Sequence, residues 1–320
     1  MPVPTCATDS VLHIEGLTKR FGSLVAVDHL NLDVYRGEIL GFLGPNGAGK
    51  TTTIQMICGL LRADSGQIAL NGSALKPGDI GYAKKIGVCP QNVITWPNLT
   101  CLEQLQFIGQ MYDLPGDLAR QRGDQLLELL GLAEKRSQLS KHLSGGMLRR
   151  LNLALALVHD PEILILDEPE AGLDPQSRVL VRETIRSLAP QKTILLTSHN
   201  MDEVERLAGR VAIIDHGRLL KLDAPETLKA SIGAGDVLEI GFPADQLDRL
   251  TVLLPHLCEL IPGTTVSGHT VVLRRPGLIA SLSTILELFK SHDVHTTEIR
   301  MRGNSLEDVF IALTGRGLRE

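Results

Sequence analysis

One run of eight residues fits the pattern G-x-x-x-x-G-K-[ST]. It consists of Gly44, Pro45, Asn46, Gly47, Ala48, Gly49, Lys50 and Thr51, and a further hydroxyl follows at Thr52. Glycines let successive backbone N–H groups point into one concavity, where they and the positive end of the next helix bind phosphate oxygens. Lys50 adds a charge for the β- and γ-phosphates, and Thr51 adds a hydroxyl for Mg²⁺. The run predicts a nucleoside-triphosphate site, with a plain glycine-rich turn as the alternative.

Two adjacent carboxylates, Asp167 and Glu168, follow the apolar run Ile163–Leu166. At the end of a buried strand an unpaired carboxylate is costly unless a cation compensates it. Asp167 is therefore expected to orient the shell of a bound Mg²⁺. Glu168 points differently and could accept a proton from an attacking water, the task of a general base. The alternative is two solvated acids at a strand end.

A third motif, Ser144-Gly145-Gly146-Met147, precedes a stretch with helical apolar spacing. The apolar positions of that stretch are Leu148, Leu151, Leu155 and Val158. Serine is a preferred residue before the first helical position, so Ser144 is the predicted N-cap. Taken alone, the motif requires nothing more than a capped helix.

The elements that position these residues are predicted from apolar runs. Glu38–Leu43, Glu162–Asp167 and Thr193–Ser198 are almost continuously apolar, as strands buried on both faces should be. Between Val11 and Pro225 such runs alternate with helical patterns, which favours an α/β core on a largely parallel sheet. Ligands bind beyond the carboxyl ends of such strands, so the loops that follow these three runs should share one site.

After Pro225 the pattern changes to the order β-α-β-β-α-β, which is the ferredoxin-like arrangement. The predicted elements are a strand at Val237–Phe242, a helix at Ala244–Leu254, strands at Thr264–Val266 and Thr270–Arg274, a helix at Leu278–Lys290 and a strand at Val294–Arg300. A last helix is predicted to start at Ser305, with Asp308 completing a variant of the capping box.

The combination of motifs resembles the nucleotide-binding subunit of ABC transporters over residues 11–225. It comprises the phosphate loop, the Ser144-Gly145-Gly146 helix start, Asp167-Glu168, Gly172-Leu173-Asp174 and the strand that ends at Ser198-His199. The resemblance implies a P-loop ATPase core that binds ATP with Mg²⁺. It also implies a head-to-tail homodimer, in which Ser144, Gly145 and Gly146 of one subunit close on the ATP held by the other.

By the same resemblance, four further residues acquire roles. Phe21 would stack on adenine, and Gln91 would bind Mg²⁺ and sense the attacking water. Asp174 would bridge across the dimer, and His199 would contact the γ-phosphate. Local alternatives stay open: Phe21 as a core aromatic, Gln91 as a polar loop residue and His199 as a residue at a helix entry.

The sequence departs from the family pattern at three positions. Met147 stands where glutamine is usual, and Glu170 and Ala171 stand where threonine and serine are usual. Methionine cannot donate the hydrogen bonds of glutamine, so nucleotide contacts at Met147 are expected to be weaker or rearranged. Met147 with Arg149-Arg150, and the tail Leu306–Phe310, resemble the branch of drug-resistance, nodulation-type and other ABC-2-type exporters. An importer ATPase is the alternative.

Length and composition set the domain organisation. A chain of 320 residues suggests about two domains. We expect a flexible N-terminus at 1–10, the ATPase domain at 11–225 with a helical subdomain at about 92–160, and an accessory or regulatory α+β domain at 226–320. Apolar runs such as Leu153–Val158 are too short to span a bilayer, and no targeting segment is evident. The sequence therefore predicts a peripheral protein on the cytoplasmic face of the cell membrane, held there by a separate membrane permease.

Charge and aromatic content argue against direct binding of nucleic acid. The net charge is −5 and aromatic residues make up 3%, so the basic surface and the stacking platforms of a nucleic-acid binder are missing. The alternative to a transport function is an ABC ATPase that acts on ribosomes or nucleic acid. Trp96 and its neighbours are candidates for gripping a cytoplasmic helix of the permease, although core packing explains them equally well.

Overall fold

The computed structural model describes residues 10–75, 78–232, 236–275 and 277–315. Residues 1–9, which make up almost all of the predicted flexible N-terminus, lie outside that range. The chain divides into two compact units, one ending at Pro225 and the next beginning at Glu226. Within the described ranges, no helix combines the length and the apolar character needed to cross a bilayer.

The first unit contains two sheets. Its strands are β1 Ser10–Phe21, β2 Leu24–Tyr35, β3 Ile39–Leu43, β4 Ser65–Leu70, β5 Ser73–Ala74, β6 Ile86–Cys89, β7 Ile163–Asp167, β8 Thr193–Ser198, β9 Arg210–Asp215 and β10 Arg218–Asp223. An antiparallel sheet has the order β2-β1-β4-β5, and the central sheet has the order β10-β9-β3-β8-β7-β6. The central sheet is parallel except for β10, which pairs antiparallel with β9. The α/β core predicted from the apolar runs is confirmed.

Helices surround the central sheet. They are α1 Lys50–Ile57, α2 Ile80–Ala83, α3 Cys101–Met111, α4 Gly116–Leu129, α5 Gly145–Leu157, α6 Pro175–Leu188 and α7 Met201–Leu207, and α8 Pro225–Ser231 begins at the unit boundary. The helices α3, α4 and α5 lie in the stretch expected to form a helical subdomain. Every residue of β3 and β8 is buried, because helices and the second sheet exclude water from both faces.

Register brings the chemistry-bearing loops to one edge of the sheet. Leu43 of β3 pairs with Ser198 of β8, and Asp167 of β7 pairs with Thr197 of β8. The carboxyl ends of these adjacent parallel strands are therefore level. The phosphate loop, the two carboxylates and His199 all follow these ends, as the sequence predicted.

The second unit is an antiparallel sheet with helices. Its elements are β11 Asp236–Gly241, α9 Leu247–Leu260, β12 Thr265–Ser267, β13 Thr270–Arg275, α10 Leu278–Ser291, β14 Glu298–Arg302 and α11 Leu306–Thr314. The sheet order is β12-β13-β11-β14. Along the chain, β11 to β14 with α9 and α10 follow the β-α-β-β-α-β order that the sequence predicted. Side chains of α9 and α10 form one apolar core with Leu238, Ile240 and Leu273 of the sheet.

Two boundaries in this unit lie well away from the prediction, whereas the others shift by about three residues or fewer. The helix predicted to end at Leu254 continues through Pro255 to Leu260, because Leu250, Leu253 and Leu257 are fully buried against the core. That burial outweighs the missing N–H of Pro255. The last strand starts at Glu298 rather than at Val294. Val294 is instead a buried loop residue whose N–H bonds to the carbonyl of Phe289.

Candidate functional site

The phosphate loop joins β3 to α1, and its lysine folds back onto it. The Lys50 ammonium donates to the carbonyls of Gly44 at 2.6 Å and Pro45 at 2.9 Å. Burial lowers the pKa of Lys50, and the nearby carboxylates of Glu168 and Asp167 oppose that shift. Thr51 is exposed and Thr52 is half-buried at the start of the helix. A charged donor and two hydroxyls thus meet at a helix N-terminus, where anions bind.

Close packing makes Gly49 necessary in this loop. Gly49 has φ 101°, and a Cβ there would lie 2.4 Å from the carbonyl oxygen of Ala26. Gly47 also has a positive φ of 81°, but a Cβ there would meet nothing within 4 Å. The loop is therefore pressed against β2 at Gly49 and open at Gly47, where Asn46 and Gly47 are exposed and Ala48 is buried.

The predicted general base lies in a hydrogen-bonded cluster. Glu168 accepts a bond from the Gln91 amide at 2.8 Å, and its other oxygen lies 2.5 Å from Nδ1 of His199. Glu168 is 6% exposed, whereas Gln91 and His199 are exposed. Asp167 lies beside this cluster and accepts a hydrogen bond from the Thr197 hydroxyl. The structure therefore brings Gln91, Glu168 and His199 into direct contact.

The backbone of Glu168 is in the left-handed region, with φ 51°. For a residue with a side chain this conformation costs about 1–2 kcal/mol and persists only where the surroundings impose it. The N–H of Glu168 bonds to the carbonyl of Thr197 at 2.9 Å, and its carbonyl accepts from the guanidinium of Arg149. In the sequence Arg149 belongs to the Met147-Leu148-Arg149-Arg150 motif, which gives no sign of these contacts. The almost continuously apolar stretch Leu151–Val158 is the sequence signal that this helix is buried on most sides, and Arg149 with it.

The phosphate loop, Gln91, Asp167 and Glu168 face one cleft of about 340 Å³, and His199 contacts Glu168 without being among the residues that line it. The cleft is lined by Phe21, Leu24, Val25, Ala26, Asn46, Gly47, Gly49, Lys50, Thr51, Thr52, Gln91, Asp167, Glu168 and His216. Phe21 pairs with Leu24 at the turn between β1 and β2 and is 49% exposed, which does not fit a core aromatic. His216 was not predicted. Its turn is held by bonds from Gly217 N–H to Ala48 and from Asp28 N–H to Gly217.

The residues of the cleft fit ATP and Mg²⁺ chemically. An aromatic face and apolar side chains line one part, and the phosphate loop with Lys50 lines another. Thr51, Gln91 and Asp167 contribute hydroxyl, amide and carboxylate oxygens, which are the donors that Mg²⁺ prefers. Asp167 and Glu168 also place two carboxylates near one buried ammonium, and a divalent cation would offset the excess negative charge.

The Ser144 motif lies elsewhere. Ser144 caps α5 as predicted, accepting from the N–H of Met147 at 3.3 Å, and Asp174 caps α6 by accepting from the N–H of Ser177 at 3.0 Å. The two helix starts are adjacent, since a Cβ on Gly146 would lie 2.6 Å from Oγ of Ser177. Ser144, Gly145 and Asp174 are exposed. Among the described residues that line the cleft, none comes from this pair of helix starts.

Comparisons with known proteins identify the family. Residues 27–171 match the ABC transporter family model. The chain is 40% identical to the Nod factor export ATP-binding protein I of Ralstonia nicotianae, covering 100% of this chain and 98% of that protein. It is 34% identical to the linearmycin resistance ATP-binding protein LnrL of Bacillus subtilis, covering 97% and 100%. The chain belongs to the ABC transporter family. A solved ATP-binding subunit of an ABC transporter superposes with a TM-score of 0.64 at 28% identity, over 70% of this chain and 94% of that one.

As a member of the ABC transporter family, the chain binds ATP and hydrolyses it to power transport. ATP-binding subunits of this family work with membrane permease components. The ATPase predicted from the motifs is thus confirmed.

Glu170, which stands where the usual ABC pattern has threonine, forms a buried ion pair with Arg182. Glu170 is 6% exposed and receives two bonds from the guanidinium of Arg182 on α6, at 2.9 and 2.6 Å. A second buried acid, Glu203, accepts from the Ser198 hydroxyl at 2.6 Å. Burial raises the pKa of Glu203 to about 7, and the nearby Glu170 carboxylate adds to that shift. Glu170 therefore anchors α6 to the loop that follows Glu168, which threonine could not do by an ion pair.

Proposed function

We propose that the cleft hydrolyses MgATP with Glu168 as the general base. The observation that carries this proposal is the buried Glu168 carboxylate, bonded to Gln91 and His199 beside the phosphate loop. Lys50 binds the β- and γ-phosphates, the phosphate-loop amides bind phosphate oxygens, and Phe21 stacks on adenine. Glu168 takes a proton from the water that Gln91 positions, and His199 contacts the γ-phosphate.

Mg²⁺ would be held by Thr51, Gln91 and Asp167. When bound, it neutralises charge on the phosphate oxygens. Because phosphoryl transfer leaves little covalent work for protein groups, most of the rate enhancement comes from positioning and charge. The left-handed backbone of Glu168 helps to position its carboxylate. That backbone is fixed by a hydrogen bond from its N–H to the carbonyl of Thr197 and by a bond from Arg149 to its own carbonyl.

A head-to-tail homodimer is part of the proposal. Ser144, Gly145, Gly146 and Asp174 sit at two adjacent helix starts outside the cleft of their own chain. A helix N-terminus with small residues is suited to approach a phosphate. We assign this surface to the ATP held by the second copy, so that each complete site uses two chains.

The permease contact is assigned to an apolar patch that follows Gln91. Val93, Ile94, Phe107 and Met111 are between 39% and 65% exposed. Trp96 is half-buried and packs edge-to-face on Phe107, with the two ring centroids 5.4 Å apart. This arrangement supports gripping of a cytoplasmic helix by Trp96 and its neighbours better than core packing. The subunit would then lie on the cytoplasmic face of the membrane, attached through its permease.

Export is the proposed direction of transport. The names of the relatives describe export of Nod factor and resistance to linearmycin, and the resemblance extends over the second unit as well as the ATPase unit. An importer ATPase and a ribosome or nucleic-acid ATPase are less favoured by these relatives. The net charge of −5 also argues against the nucleic-acid alternative.

The test of the catalytic proposal is Glu168→Gln in the full chain. The variant should bind ATP with native affinity yet lose turnover by about 10²–10⁴-fold, because the amide cannot accept the proton. Calorimetric titration measures the affinity and phosphate release measures the turnover. Hydrolysis at the native rate would remove Glu168 from this role.

A second experiment tests the partner. The tagged protein is purified from detergent-solubilised membranes of its host, and the accompanying proteins are identified by mass spectrometry. A stoichiometric polytopic membrane protein is the expected result. Recovery of ribosomes or nucleic acid instead would overturn the transport assignment while leaving the ATPase chemistry intact.

A further inference from the structure

Arg149 on α5 makes an unusual set of contacts. It is 3% exposed. Its guanidinium donates to the carbonyls of Pro90 at 2.7 Å, Gln91 at 2.7 Å, Asp167 at 2.8 Å, Glu168, and Pro169 at 3.2 Å. An arginine has five N–H groups, so this set of acceptors uses all of them. The partners are main-chain oxygens of two segments far apart in the sequence.

Those two segments carry the catalytic side chains. One runs from β6 to Gln91, and the other from β7 through Asp167 and Glu168. Across them the Gln91 amide bonds to the Glu168 carboxylate at 2.8 Å. The separation of the two main chains decides whether that bond can form, and a single rigid guanidinium fixes the separation. Lysine, a point charge on a flexible stem, could not replace this planar fork.

The strained backbone of Glu168 depends on the same residue. Its left-handed conformation is bounded by the N–H bond to Thr197 on one side and by the Arg149 bond on the other. If Arg149 is removed, the carbonyl of Glu168 loses this donor and the peptide is free to relax. The carboxylate would then turn away from His199 and Gln91.

We propose that Arg149 is a positioning residue for catalysis, holding Gln91 and Glu168 of its own chain in the geometry needed for hydrolysis. Its location on α5 leaves a second route open, since the start of that helix would meet the ATP of the partner chain. The contacts favour the first route, because all five N–H groups of Arg149 are already used by main-chain carbonyls of its own chain and none is left for a nucleotide. This inference rests on the proposed roles of Glu168 and of the head-to-tail dimer.

The first experiment uses Arg149→Gln in the otherwise native chain, with Arg150→Gln as the matched control. Arg150 is the next residue on α5, and its guanidinium donates to the carbonyls of Leu130 at 2.8 Å and Gly131 at 3.3 Å instead. R149Q should lower kcat about tenfold to a hundredfold, the range expected for a misplaced catalytic group. KM for ATP should change less than about threefold, because the phosphate loop, Lys50 and Phe21 are unchanged. R150Q should keep kcat within about threefold.

The second experiment separates the two routes and tests folding. A chain with Ser144→Arg keeps Glu168, and a chain with Glu168→Gln keeps Ser144. Each is inactive alone, but mixing them restores one complete site if the dimer is head-to-tail. R149Q is then placed on one chain or the other. On the Ser144→Arg chain it should lower the recovered activity by the same factor of about tenfold to a hundredfold. On the Glu168→Gln chain it should leave that activity in place, which also shows that a chain with R149Q folds and dimerises.

Each other outcome contradicts a defined statement. Equal loss from both placements, or loss only on the Glu168→Gln chain, would overturn positioning within one chain. Unchanged kcat for R149Q, or a rise in KM alone, would do the same. If the two parental chains fail to complement each other, the head-to-tail dimer is wrong, and the kcat and KM of R149Q in the native chain still decide the role of Arg149.

Discussion

Asp308 in the second unit is expected to be a principal stabilising residue, and Asp308→Asn tests this. The carboxylate is 3% exposed and accepts from Arg274 at 2.6 Å, from Arg302 at 2.5 and 3.1 Å, and from Ser305 N–H and Oγ at 2.9 and 2.8 Å. It thereby ties β13, β14 and the start of α11 together. Asparagine has one carbonyl oxygen and places N–H groups against those donors.

The magnitude follows from leaving two guanidinium groups without their buried anion. Removing one partner of a buried ion pair costs about 3–5 kcal/mol. Arg302 retains Glu239 at 2.8 Å, and one amide oxygen remains as an acceptor, so we expect the lower end, about 3 kcal/mol. If the unit opens as one, this raises the opening equilibrium roughly 150-fold, since about 1.4 kcal/mol corresponds to tenfold.

Hydrogen exchange by mass spectrometry on the full chain measures this directly. Peptides from Thr270–Arg275 and Leu306–Thr314 should exchange faster in the variant by that factor. The matched control is Asp293→Asn, which removes an exposed ion pair with Arg249. An exposed pair contributes about 0–1 kcal/mol, so exchange should change less than about fivefold. Equal effects of the two substitutions would refute the reasoning.

The contribution of Asp308 also has a defined pH dependence. Burial alone would raise the pKa of the Asp308 carboxyl, but hydrogen bonds from Arg302, Arg274 and Ser305 outweigh burial and hold the pKa well below its usual range. A lowered pKa stabilises the folded state above the unfolded value of about 3.9, and this stabilisation is lost as pH falls below it. The difference between the native chain and D308N in urea unfolding should therefore be full at neutral pH and shrink below about pH 4.

Three further predictions concern the cleft, and calorimetric titration of the full chain measures each. Lys50→Ala should weaken ATP binding at least about tenfold, since its charge faces the phosphates; unchanged affinity would count against the phosphate-loop assignment. Gly49→Ala should weaken ATP binding far more than Gly47→Ala, because only the first Cβ would meet a carbonyl, at 2.4 Å, and similar losses would contradict this. Phe21→Ala should weaken ATP binding by about 1–2 kcal/mol, the contribution of one stacked base, while leaving inorganic tripolyphosphate unaffected. An equal loss of affinity for ATP and for tripolyphosphate would exclude stacking of Phe21 on adenine.

Much of the ATPase unit is predictable because its signals are local. The phosphate loop needs only its own glycines, Lys50 and the strand before it, and buried parallel strands show themselves as continuous apolar runs. The caps at Ser144 and Ser305 are likewise formed by residues within one helical turn, and both are present. Because β3, β7 and β8 pair in parallel, their carboxyl ends lie at the same edge of the sheet.

Other features could not be found from local patterns. The strand predicted from Val294 begins at Glu298, and Val294 is instead a loop residue buried in the core. Pro255 did not end its helix, since three leucines of that helix are fully buried. At these positions tertiary packing outweighs the intrinsic preference of the residues for helix or strand.

The sequence by itself determined the fold class, the phosphate loop and the two carboxylates, because each is encoded in residues that are neighbours along the chain. Only the tertiary structure decided that Arg149 spans the Gln91 and Glu168 segments, and that Glu170 pairs with Arg182. It also decided that the Ser144 helix start lies outside the cleft. The physical reason is that a buried charge is satisfied by whichever main-chain and side-chain groups the completed sheet places around it, and sequence spacing does not contain that information.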